Sequence, residues 1–114
     1  MRPDSVERIA ETGVIAILRG VSVEDAPDVA AAVTEGGVAA LEITADTPNV
    51  TAAIEAVADR VYAAVGVGTV LDAETARPAQ LAGAEFVATP PVNRAVIRTA
   101  NRYGAPIAAG AYTP

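Results

Sequence analysis

The 114-residue chain contains no cysteine, no histidine and no lysine. Without cysteine there is no disulfide, no thiolate nucleophile and no thiolate metal site. Without histidine the commonest general base and zinc ligand is missing as well. The absence of lysine removes the one side chain that forms Schiff bases with carbonyl substrates. All eight basic residues are arginines, scattered among fourteen acids for a net charge of −6. That balance is a poor match for a phosphate backbone, so no nucleic-acid partner is expected. Long apolar runs are missing too: each lasts only five to seven residues before a glycine or a charge interrupts it. Neither a membrane span nor a basic-then-apolar signal segment is present, and the expectation is one soluble cytoplasmic domain with a single core.

What is present is a recurring pattern. Short apolar runs appear at near-regular intervals: VIAIL at 14–18, VAALEI at 38–43, VYAAVGV at 61–67, FVA at 86–88 and PIAA at 106–109. Continuous hydrophobicity over strand length marks strands buried on both faces, as in parallel sheets. The intervening stretches read as amphipathic crossover helices. Ser22 is placed to cap a helix over 23–35, with Glu24 and Asp25 in its first turn and Gly36 and Gly37 at its exit. Thr47 followed by Pro48 predicts a cap and first-turn proline for a helix to about 59. Asp72 starts the next, through 82, and Asn93 another through 102, while a first helix over 4–11 precedes the first strand. The order is an α-helix, four β-α units and a fifth strand, without linker or low-complexity segment. Length favours a flavodoxin-like open sheet, since (β/α)8 barrels need about 200 residues or more.

Several side chains stand where such folds collect their chemistry. Strand alternation puts Ala40, Glu42 and Thr44 on one face and Leu41 and Ile43 on the helix-covered face. A carboxylate on the first face loses hydration, which raises its pKa and suits it to carry protons. The alternative is a buried structural ion pair with an arginine such as Arg19. Arg19 ends VIAILRG at the carboxyl edge, where a guanidinium grips a carboxylate by a two-pronged hydrogen bond or is simply solvated. Gly66 and Gly68 of GVGTVL suggest a nucleotide loop, but Leu71 stands where a dinucleotide fingerprint needs glycine and no phosphate-loop lysine exists. Thr69 ends the third strand, placed to hold a substrate oxygen or to cap the next helix. Thr89, Pro90 and Pro91 end the fourth, where the prolines fix the loop's shape.

Taken in order, VIAILRG, EGGVAALEIT with its following TP, VGVGTVL, GAEFVATP and YGAPIAAGAYTP resemble the pyruvate-forming 2-keto-3-deoxy-6-phosphogluconate (KDPG) and 4-hydroxy-2-oxoglutarate (KHG) aldolases and their phosphogalactonate relatives. The ILRG opening and the ATP of the fourth strand look closest to the phosphogalactonate branch. The resemblance implies an α/β fold, a partial (β/α)8 TIM barrel, with residues 1–114 as the N-terminal portion of one barrel domain. It implies a homo-oligomer, trimeric in the full-length family, that cleaves a small keto acid through a Schiff base without cofactor or metal. It makes Glu42 the catalytic proton carrier and assigns Arg19, Thr69 and Pro90 to substrate binding. Two departures stand out. Asp46 occupies a segment where some members carry an arginine, and the strand-six lysine of the family has no counterpart here. Two alternatives remain: a non-catalytic half-barrel that pairs with itself or a complementary half, and a metal-dependent aldolase ligated by carboxylates, which Glu42 and Asp46 only begin to supply.

Overall fold

A computed structural model describes residues 4–114. The elements run α1 (Ser5–Thr12), β1 (Ala16–Leu18), α2 (Ala26–Glu35), β2 (Ala40–Thr44), α3 (Val50–Arg60), β3 (Ala64–Gly68), α4 (Ala73–Ala82), β4 (Phe86–Thr89), α5 (Arg94–Arg102) and β5 (Ile107–Ala109). All five apolar runs become strands, and each connecting stretch becomes a helix. The strands are shorter than the runs because pairing begins only where a neighbour is in register. Val14 and Ile15, for example, lead into β1 unpaired, and Val14 is exposed. No helix among the described residues is long and apolar enough to cross a membrane.

The strands form one parallel sheet in the order β1-β2-β3-β4-β5. That unreversed order excludes the flavodoxin-like alternative, in which the strand order switches direction and helices cover both faces. Consecutive crossovers of one hand instead deliver every connecting helix to the same face. Leu41, Ile43, Val65, Val67 and Val87 accordingly share one core with buried residues of α2, α3, α4 and α5. The helices meet the sheet largely through alanine: Ala26, Ala30, Ala53, Ala76, Ala79 and Ala100 are all essentially inaccessible. Small side chains let helix and sheet backbones approach closely, and the alanine-rich composition serves that layer.

The opposite face is finished differently. At its N-terminal end Ala40, Ala64 and Phe86 pack together with Ile9 of α1 and Ile15. Arg8 anchors α1 there: nearly buried, it donates through Nη1 to the Tyr62 carbonyl at 2.8 Å and through Nη2 to Glu85 Oε2 at 2.6 Å. This cross-tie joins α1 to the segments that enter β3 and β4, and nothing in the local pattern SVERIAET distinguishes it from a solvated helix arginine. Further up the same face Ile17 stands 59% exposed.

Two predicted caps are used otherwise. Ser22 accepts from the Asp25 N–H at 3.2 Å within a turn that precedes α2. The helix itself begins at Ala26, with Pro27 in its first turn, where a missing N–H is harmless. Thr47 is buried, its hydroxyl 3.3 Å from that of Thr44. It closes the end of β2, and α3 starts after Asn49, whose backbone is left-handed at φ 57° and whose side chain makes no capping bond. Asp72 and Asn93 cap as expected, accepting from the N–H groups of Thr75 and Val96.

Gly66 shows how tightly the inner face is filled, since a Cβ there would run into the Phe86 ring. Gly66→Ala is therefore expected to destabilise the chain by about 1–3 kcal/mol through overpacking. Urea unfolding checks this: a lowered midpoint at unchanged slope is expected, and an unchanged midpoint would mean that the ring has room to move.

Candidate functional site

The C-terminal ends of β1, β2 and β3 bring together Arg19, Glu42, Asp46 and Thr69. Glu42 is the central residue of β2, in register with Ile17 of β1 and Gly66 of β3. Alternation turns it away from the helix layer, and its carboxylate leans over Gly68, where an added Cβ would overlap it. Glu42 is left 7% exposed. Burial pushes its carboxyl above the ordinary carboxylate value of 4.5, and the nearby Arg19 guanidinium opposes this with a smaller effect.

Arg19 does not close an ion pair with Glu42, so the structural-pair alternative is corrected. Its Nη1 lies 3.4 Å from Asp46 Oδ2 and its Nη2 donates to Thr69 Oγ1 at 3.1 Å. The guanidinium thus spans the ends of three strands at the solvent-facing rim, its side chain 55% exposed. Asp46 is better hydrated than Glu42, so pairing at the rim avoids taking two charges out of water.

Thr69 is not the cap of α4, a role that Asp72 fills. It follows β3 in the left-handed region at φ 58°, a strained backbone for a β-branched residue, and in that conformation its hydroxyl meets Arg19. Pro90 lies apart from this group. It is exposed after β4, where its carbonyl approaches Gly110 so closely that a Cβ there would collide. It borders an open cleft of about 700 Å³ with Pro91, Val92 and Tyr112. Thr89 secures that end, donating to the Val70 carbonyl at 2.7 Å.

In the sequence Gly66 and Gly68 look like a failed nucleotide motif and Asp46 like a departure from the family pattern. The glycines are clearances for Phe86 and Glu42, and their spacing of two on one strand face was the available signal. Asp46 is the partner of Arg19. Among the described residues no three acids gather as a metal site requires, so a site begun by Glu42 and Asp46 lacks its third ligand.

Active sites of (β/α) barrels lie at the C-terminal ends of the strands, and there this sequentially ordered parallel sheet holds a buried carboxylate of raised pKa near a strand-end guanidinium, which marks a candidate site. The chain belongs to the KDPG and KHG aldolase family, whose family model matches residues 6–114. It is 36% identical over 108 residues to the 2-dehydro-3-deoxy-phosphogluconate aldolase of Treponema pallidum, covering 94% of this chain and 50% of that protein. The crystal structure of 2-keto-3-deoxy-6-phospho-gluconate aldolase from Zymomonas mobilis ATCC 29191 superposes with a TM-score of 0.87 at 30% identity, over 98% of this chain and 54% of that one. KDPG aldolase from Legionella pneumophila, solved with pyruvate captured at low pH as a covalent carbinolamine intermediate, gives 0.79 at 27% identity, over 87% and 48%. The chain spans about half the length of the curated relatives it matches, and its five strands form part of the TIM barrel of its structural neighbours.

The raised carboxyl has a consequence for stability. Folded Glu42 keeps its proton at pH values where the unfolded chain has lost it, so stability falls as pH rises from about 4.5 through the raised value. Glu42→Gln removes that loss. Its urea midpoint is expected to exceed the parent's at pH 7 and to match it near pH 4, where both unfolded and folded carboxyls are largely protonated. A gap that persists at pH 4 would assign the effect to something other than the charge.

Proposed function

We propose that this chain supplies the proton-carrying and carboxylate-gripping part of a Schiff-base aldolase that cleaves a 2-keto-3-deoxy-6-phospho sugar acid to pyruvate and glyceraldehyde 3-phosphate. The single observation that carries the reading is Glu42, a carboxyl of raised pKa held on the inner face beneath Arg19. In this chemistry an amine adds to the C2 carbonyl, and the resulting carbinolamine needs a proton on its hydroxyl to leave as water. Removal of the C4 hydroxyl proton then breaks the C3–C4 bond, releasing the aldehyde and an enamine whose C3 takes up a proton before hydrolysis frees pyruvate. A carboxyl whose pKa burial raises toward the working range of a general acid and base serves each of these transfers in turn. Arg19 grips the substrate carboxylate by its guanidinium edge, Thr69 holds a neighbouring oxygen, and Pro90 shapes the wall beyond.

The reaction uses an amine as electron sink and calls on no metal or nucleotide. No lysine is present among the 114 residues, so in this reading the catalytic amine is supplied from outside them, and no side chain of this chain forms the imine. The trimeric assembly that the family resemblance implies belongs to this reading as well. A second reading, a half-barrel that self-associates, is favoured by Ile17, which stands 59% exposed on the inner face, and by the pairing of β1 on one side only among the described strands. A defined dimer in size-exclusion chromatography supports it, and a monomer removes it.

The aldolase reading is tested by joining the chain to a lysine-bearing complementary half from a related aldolase. Pyruvate release from 2-keto-3-deoxy-6-phosphogluconate is expected from the fusion, with kcat lowered about 10²–10⁴-fold by Glu42→Gln. Borohydride should trap pyruvate on the fusion and, with the N-terminal amine blocked, not on the 114-residue chain. Equal turnover by the Gln variant would overturn the assignment of Glu42.

A further inference from the structure

Arg19 faces a choice of carboxylates. It is close enough to Glu42 for its field to act on that carboxyl, yet its hydrogen bonds go to Asp46 and Thr69. The two partners approach from different elements: Asp46 from the loop after β2, Thr69 from the turn after β3. They hold different nitrogens, Nη1 and Nη2, so the guanidinium is fixed in direction as well as position. Thr69 does this from a left-handed backbone at φ 58°, which a β-branched residue adopts only when surrounding structure imposes it.

We propose that Asp46 and Thr69 are positioning residues that hold Arg19 across the strand ends, ready for a substrate carboxylate, and keep it from closing an ion pair with Glu42. Asp46 acts as a competing anion and Thr69 as a fixed second acceptor. Released from both, Arg19 would turn toward the buried carboxylate, which has no other cationic neighbour at the site among the described residues, and a charge pair with little water around it would hold Glu42 in its ionised form. The proton carrier and the substrate grip would then neutralise each other.

The groups around Glu42 leave few other sources for such an effect. From β1 comes Arg19, and from the loop after β2 comes Asp46. Strand β3 and its turn bring no ionisable side chain before Asp72, whose carboxylate accepts from the Thr75 N–H. Strand β4 brings the Phe86 ring and no charge. Of the ionisable residues on α1, Glu7 and Glu11 are exposed and Arg8 is tied to Glu85 at the far end of the sheet. The inference gives the aldolase reading a way of keeping its two key groups distinct, and rests on that reading for its meaning. The arrangement itself is testable without substrate.

The measurement is an NMR titration of the Glu42 side-chain carboxyl carbon in the 114-residue chain. Thr69→Val changes no charge and hardly any volume, so it reports on Arg19 alone. It is expected to lower the Glu42 midpoint by about 1 to 3 pH units, the range for a newly formed close charge pair, whereas Thr69→Ser should restore the parent value. Asp46→Asn, at an exposed rim position, should lower the midpoint strongly with Arg19 present and only slightly in an Arg19→Gln background, where just the direct effect of the lost anion remains. Unchanged midpoints in both Thr69→Val and Asp46→Asn, or an Asp46→Asn effect undiminished by Arg19→Gln, would overturn the proposal. If the midpoints fall as stated while Glu42→Gln leaves the fused aldolase fully active, the arrangement stands and the catalytic reading fails.

Discussion

A carboxylate stands on the inner face of a parallel sheet only if the neighbouring strand makes room for it, and here that room is Gly68. The absent Cβ lets Glu42 lean over β3 and leaves it almost inaccessible to water. The loss of hydration then raises its pKa, against the weaker opposing field of Arg19. Gly66 performs the same service one layer lower for Phe86, the largest side chain of the inner face. Glycine on alternate positions of one strand thus sets both the depth of the carboxyl and the packing beneath it.

The rest of the architecture supports that placement. Sequential strand order sends every crossover helix to the outer face, which leaves the inner face free for functional side chains. An alanine-lined helix layer draws α2 to α5 against Leu41, Ile43, Val65 and Val67. At the N-terminal end α1 covers Ala40, Ala64 and Phe86, fastened by Arg8 to Tyr62 and Glu85. At the opposite end Arg19, Asp46 and Thr69 form a hydrogen-bonded rim above Glu42. A closed floor and an open, charged rim give the sheet its direction.

The rim also shows how opposite charges coexist without cancelling. Ion pairing at a hydrated site carries a small desolvation penalty, while pairing with a buried carboxylate carries a large one. Asp46 offers Arg19 the former, and the strained turn at Thr69 adds an acceptor in a fixed direction. A guanidinium engaged in this way still keeps part of its edge exposed.

Much of this was legible in the order of residues. Periodicity located five strands and five helices, because a strand buried on both faces must be apolar throughout and a crossover helix must be apolar on one side. Alternation along LEIT placed Glu42 opposite the helix layer, and Asp72 and Asn93 capped as their spacing required. Ser22 and Thr47 did not cap their predicted helices, since a hydroxyl is recruited by whichever turn reaches it first. The choice between an open doubly wound sheet and part of a barrel needed the strand order. Local sequence does not encode that order, because it depends on which edge each strand joins. Only the tertiary structure decided that Arg19 turns to Asp46 and Thr69 instead of Glu42, that Arg8 is a buried tie, and that two glycines are clearances. Each of those facts depends on side chains from separate strands meeting in space, and the chain alone specifies only which of them are available to meet.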